Sequence, residues 1–143
     1  MKVIALRGGE NTGKSHVINI VYQFLLSEKW SQVQGHFREL GNPIYNDMID
    51  ILSKENILLG ILGAGDYQIG DMGLKNLISE LENKGCQIII CACRDNPKIE
   101  KAVYNYTDHN WIDKTLSNGR YNDRIVNGID AQAILSIVYK LIK

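Results

Sequence analysis

Apolar positions along the chain switch between continuous or alternating runs and a spacing near 3.6, which predicts interleaved strands and helices. Lys2 to Arg7 is a short β-branched and aliphatic run that ends in glycine, and it reads as a buried strand. Past Gly13 the period changes: Val17, Val21, Phe24 and Leu25 recur at helical spacing, so a helix is expected from about Lys14 to about Lys29. Leu74, Leu77, Ile78 and Leu81 form a second helical stripe that Asp71 can cap and Gly85 can end in the left-handed conformation. Gln87 to Cys93 is apolar on both alternating faces, as a central strand covered by helices on each side should be. Asp130 precedes Ile134, Ile137, Val138 and Leu141, which predicts a closing helix packed on the sheet.

The middle of the chain reads less cleanly. Asn42-Pro43 suits a helix start, but Ile49 and Ile51 alternate with Asp50, and Ser53 to Asn56 suits a hairpin turn. The favoured reading is an antiparallel hairpin over 48–62 whose second arm, Ile57 to Leu62, is a buried strand ending near Asp66. Trp30 to Asn42 has no clean period and reads as a loop, and Ile112 to Leu116 reads as a last strand. The expected fold is one α/β domain over 1–143, with three layers and a mostly parallel sheet of about five strands flanked by helices.

Gly8-Gly9-Glu10-Asn11-Thr12-Gly13-Lys14-Ser15 satisfies G-x-x-x-x-G-K-[ST] in full, between a predicted strand and a predicted helix. Glycines let backbone N–H groups turn inward around a polyphosphate, and the following helix presents free amides and its positive dipole end to the same anion. In this chemistry Lys14 is a point charge on the terminal phosphates and the Ser15 hydroxyl is a magnesium ligand. His16 follows the loop directly, either at the edge of the nucleotide stretch or as a helix-surface residue. Through these residues the chain resembles the P-loop NTPase superfamily. The resemblance implies a helix-flanked sheet with ATP or GTP at the carboxyl ends of its strands.

That reading also requires an acidic residue at the end of a buried strand, near the magnesium. Asp66, behind the small residues Gly63-Ala64-Gly65, is the first choice, and Asp95 after Ile88 to Arg94 is the rival. Arg94 emerges at the end of the central strand, either to meet phosphate or to pair with Asp95 or Glu100. Arg38, Arg120 and Arg124 are candidates for a lid or finger. The combination of Gly65-Asp66 with Cys91-Ala92-Cys93-Arg94 also resembles small uncharacterised ATP-binding proteins of bacteria and their phages. Phe37-Arg38-Glu39 ahead of Gly63-Ala64-Gly65 resembles acceptor-binding elements of shikimate-type kinases.

Composition narrows the reading further. In 143 residues, 16 basic side chains balance 16 acidic ones, so nothing overall advertises a nucleic-acid or anionic-membrane surface. The 45% apolar share excludes disorder and low-complexity architectures, and no apolar run approaches the roughly 20 residues needed to span a bilayer. Cys86, Cys91 and Cys93 crowd into eight positions, poor material for a disulfide framework and consistent with a reduced cytoplasm. Cys91 and Cys93 share one strand face and Cys86 has the opposite parity; all three read as buried small hydrophobes. Trp30 and Trp111 read as core or rim aromatics, and His36 and His109 as lone histidines.

The expected function is magnesium-dependent ATP binding with phosphoryl transfer to water, Lys14, Asp66 and Arg94 carrying the chemistry. The alternatives are a small nucleotide or metabolite kinase, a nucleotide-dependent switch, and an ATPase activated by a protein partner. ATP is preferred over GTP because Asn83-Lys84-Gly85-Cys86 and Asn96-Pro97-Lys98-Ile99 both lack the aspartate of an N-K-x-D segment.

Overall fold

The computed structural model describes residues 1–10, 12–41, 47–66, 70, 73–117 and 119–142, with the backbone alone for Arg120 and Tyr121. Among the described residues there are seven strands and four helices, beginning with β1 (Lys2–Gly8), α1 (Lys14–Ser27), β2 (Ser31–Gln32), β3 (Arg38–Glu39), β4 (Met48–Lys54) and β5 (Ile57–Leu62). They continue with α2 (Leu74–Asn83), β6 (Ile88–Arg94), α3 (Pro97–Tyr104), β7 (His109–Asp113) and α4 (Arg120–Leu141). The strands form one sheet in the order β2-β4-β5-β6-β1-β7, with β3 beside β2 on the outer edge of β4.

The sheet is mixed, not mostly parallel, and has seven strands where about five were expected. β5, β6, β1 and β7 run parallel, whereas β4 opposes β5 and is itself opposed by β2 and β3. The reversal is local: Glu55 (φ 50°) and Asn56 (φ 69°) are both left-handed, the two-residue turn whose twist suits a hairpin. The expected 48–62 hairpin is therefore present. Trp30 to Asn42 is not simply a loop, because Ser31–Gln32 and Arg38–Glu39 dock on β4, although two-residue strands leave no readable period.

Helices cover both faces. Val17, Ile18, Val21, Tyr22 and Leu25 of α1 pack with Ile134 and Val138 of α4 against Ile4, Leu6, Leu59, Ile61 and Ile90. On the other face Leu74, Leu77, Ile78 and Leu81 of α2 and Ile99, Ala102 and Val103 of α3 meet Val3, Ala5, Ile89 and Cys91. Phe24, expected in the α1 stripe, is 41% exposed. Gly85 (φ +92°) ends α2 as expected; Asp71 and Asn42-Pro43 lie outside the described residues.

α4 begins ten residues earlier than expected, at Arg120, which places Asp130 inside the helix and buried rather than at its cap. The last strand is His109–Asp113 rather than 112–116. α3 was not anticipated. Its signal is the Asn96-Pro97 start, where the Asn96 side chain accepts from the Lys98 N–H at 2.9 Å. All three cysteines are free and buried, and Cys86 shares the α2/α3 core with the other two, because it sits in the turn before β6 where strand parity has not begun. Burial pushes the Cys86 thiol up to about 11 and Cys93 to about 12. No helix among the described residues is long and apolar enough to cross a membrane.

Candidate functional site

Strand direction assembles the site. The carboxyl ends of β1, β5, β6 and β7 lie at one edge of the sheet, and because β4 runs the opposite way its amino end lies there too. Gly8 closes β1, and α1 starts at Lys14 after Gly13, whose φ of +91° is the left-handed conformation that glycine tolerates. The amino end of α1 has no side-chain cap and no acidic residue in its first turn, so its positive end is left uncompensated by the helix itself.

Within the Gly8–Ser15 loop, Lys14 Nζ donates to the Gly9 carbonyl at 2.6 Å, and Thr12 Oγ1 donates to the same oxygen at 2.9 Å. Lys14 is only 7% exposed, and its ammonium lies 3.7 Å from Asp66 Oδ1. That carboxylate oxygen is buried and has no hydrogen-bond partner among the described residues. Asn11 lies outside the described residues.

The approach of Asp66 depends on Gly65. A Cβ on Gly65 would sit 1.9 Å from the Ala92 carbonyl oxygen, so only glycine lets the chain leave β5 flat against β6, where Arg94 N–H donates to Gly65 O at 2.9 Å. The small residue before Asp66 thus serves the neighbouring strand.

Ser15 Oγ donates to Asp47 Oδ1 at 2.7 Å. Asp47, which immediately precedes β4, was not among the expected site residues. Its signal was available: a hairpin arm antiparallel to the second strand must begin at the edge where that second strand ends. Burial holds the Asp47 carboxyl above the usual range, opposed by the Ser15 hydrogen bond.

The remaining candidates divide. Arg94 Nη2 pairs with Glu10 Oε2 at 3.1 Å, an exposed contact that ties the loop to the end of β6; neither Asp95 nor Glu100 is its partner. Glu100 and Asp113 instead bind Arg7, whose guanidinium lies 4.4 Å from the centre of the Trp111 ring. Asp95 stands beside Gly9, its carboxylate 3.8 Å from where a Cβ would lie. Arg38 is forked onto Glu80 at 2.6 and 2.7 Å. Arg124 is exposed, and the Arg120 side chain lies outside the described residues. His16 is exposed beside a cavity on α1. Trp30 is buried in the α1/α4 core, and the partly buried Trp111 meets Tyr104 ring to ring at a tilt of 54°.

Beneath the loop lies a second feature that the sequence did not announce. Lys114, just past β7, pairs with Asp130 of α4 at 3.0 Å, and Asp130 also accepts from the backbone N–H and hydroxyl of Thr115 at 2.9 and 2.7 Å.

Among the described residues no group of three or more His, Cys, Asp or Glu gathers to hold a metal alone. Ser15, Asp47 and Asp66 nevertheless offer hard oxygen donors, one an orphaned carboxylate oxygen, and magnesium bound with phosphate needs only one or two such protein ligands. The donor set fits that ion. No family model, curated protein or solved structure matches the chain.

Proposed function

We propose that this chain is a P-loop protein of three-layer α/β build that binds ATP with magnesium and transfers the γ-phosphoryl group, water being the default acceptor. One observation carries the reading: a buried lysine at the start of an uncapped helix, held between the Gly9 carbonyl and an aspartate oxygen that lacks a hydrogen-bond partner among the described residues. A buried ammonium and a helix amino end side by side favour an anion, and the terminal phosphates supply one.

In this reading Gly8 to Ser15 enclose the polyphosphate, with His16 at the margin, and Lys14 exchanges part of its contact with Gly9 for phosphate oxygens. Ser15 and Asp66 hold the magnesium, with Asp47 orienting the Ser15 hydroxyl. The ion, when bound, neutralises charge on the phosphates and polarises the group in transfer. Arg94 reaches phosphate after leaving Glu10, whose exposed ion pair stabilises by about 1 kcal/mol or less.

A second reading, transfer to a small acceptor, is favoured by the cavity next to Asp47. Thermal shift against ATP, GTP and their monophosphates tests the proposal. Magnesium ATP should raise the melting temperature, since ligand at about 100 times its dissociation constant stabilises by about 2.7 kcal/mol. No shift with any triphosphate contradicts it.

A further inference from the structure

A cavity of about 480 Å³, within the usual range for small-molecule pockets, opens between the outer face of α1, β3 and the start of β4. Asp47 belongs to both places: it lines this cavity and accepts from Ser15 of the loop. The other walls mix hydrogen-bonding groups from His16, Asn19 and Gln23 with the apolar surface of Phe37, which is 49% exposed, and a second carboxylate from Glu39.

Among the described residues the lining contains no lysine or arginine. In sequence, no lysine or arginine occurs between Glu39 and Lys54, the stretch that holds the lining residues Asp47 and Met48. Arg38, next to Glu39 on β3, is turned away and held by both oxygens of Glu80. Lys14, whose charge reaches Asp47, is not in the lining and is committed to Gly9 and Asp66. Carboxylates without cations repel a phosphorylated or carboxylated ligand and favour a neutral or positively charged one. The exposed aromatic face adds apolar contact for a ring or alkyl portion.

From this geometry we propose that the cavity binds a small, unphosphorylated molecule bearing a hydroxyl or amine, neutral or cationic, as the phosphoryl acceptor. The proposal rests on the second reading above. In the transfer, the acceptor oxygen or nitrogen bonds the γ-phosphorus while the bond from that phosphorus to the bridging oxygen breaks. ADP leaves with the electron pair, and the acceptor proton passes to water.

Protein-observed NMR on the full chain tests this, with adenosine, thymidine, glucosamine and ethanolamine, each beside its phosphorylated counterpart. Titrations are run without nucleotide and with a non-hydrolysable ATP analogue plus magnesium. Unphosphorylated probes are expected to shift the amides of His16, Gln23, Phe37 and Glu39, and to bind at least tenfold tighter than their phosphorylated partners. Equal or tighter binding of the phosphorylated forms, or no probe moving those amides, overturns the proposal. Gln23→Lys and Glu39→Lys, both at exposed positions, should each erase the preference; its persistence in both would also overturn it. The analogue is read separately at the Gly13 amide, so a failed cavity and a failed nucleotide loop give different results.

Discussion

Lys114 and Asp130 form an ion pair at 3.0 Å with side chains only 1% and 4% exposed. The stem of Lys114 supports the loop from below: its Cβ lies 2.8 Å from where a Cβ on Gly8 would be, and its Cε 3.7 Å from that of Gly13. Asp130 fixes Thr115 by two further hydrogen bonds, so one carboxylate joins α4, the end of β7 and the floor of the loop.

Removing one partner of such a pair leaves a buried uncompensated charge. Asp130→Ala is expected to destabilise the fold by about 3–5 kcal/mol in chemical denaturation, and the double substitution Lys114→Met with Asp130→Leu by clearly less. Equal losses would show that the charge pairing is not what the position requires.

Two glycine substitutions should act in opposite directions. Gly65→Ala places a Cβ 1.9 Å from the Ala92 carbonyl, so β5 and β6 must separate, and a loss of about 4 kcal/mol or more is expected. Gly128→Ala, inside α4 with nothing within 4 Å, should stabilise by about 0.5–1 kcal/mol. Melting temperatures of the two variants check both.

Acid stability should report on β3. The forked hydrogen bonds from Arg38 hold the Glu80 carboxyl at about 2, below its ordinary 4.5. A folded value below the unfolded one means that the pair stabilises fully above about pH 4.5, and that this contribution fades as pH falls towards 2. Arg38 is 44% exposed, so the effect is about 1 kcal/mol or less. Arg38→Ala should remove part of the pH dependence of unfolding between pH 5 and 2; an unchanged profile would place its origin elsewhere.

Much of this architecture was legible because it is written in long apolar stripes. α1 and α2 repeat a helical period, β1 and β6 are continuous apolar runs, and their buried positions are the expected ones, Phe24 excepted. The outer antiparallel strands were hidden because Ser31–Gln32 and Arg38–Glu39 are two residues each and exposed. The first half of α4 was hidden because Asn122 to Arg124 and Gly128 are exposed and carry no stripe. At the site, the glycine and lysine positions follow from a contiguous motif, and Asp66 from the strand before it. Asp47, Lys114 and Asp130 are 32 or more positions from the loop residues they serve, and only the sheet topology and the packing of α4 bring them together.

The two aspartates nearest Lys14 should outrank the third. Asp66→Asn and Asp47→Asn are each expected to weaken the magnesium dependence of nucleotide binding or turnover more than Asp95→Asn, because Asp95 lies beside Gly9 rather than beside Lys14 or Ser15. A larger effect from Asp95 would move the magnesium to the end of β6.

The most direct test is calorimetric titration of magnesium ATP into the wild-type chain and into Lys14→Ala, with folding of both verified by circular dichroism. Saturable one-to-one binding to the wild type is expected, with its loss, or a weakening of at least tenfold, in the variant. Equal affinity in the two folded proteins, or no binding to the wild type, would contradict the proposed role of the loop.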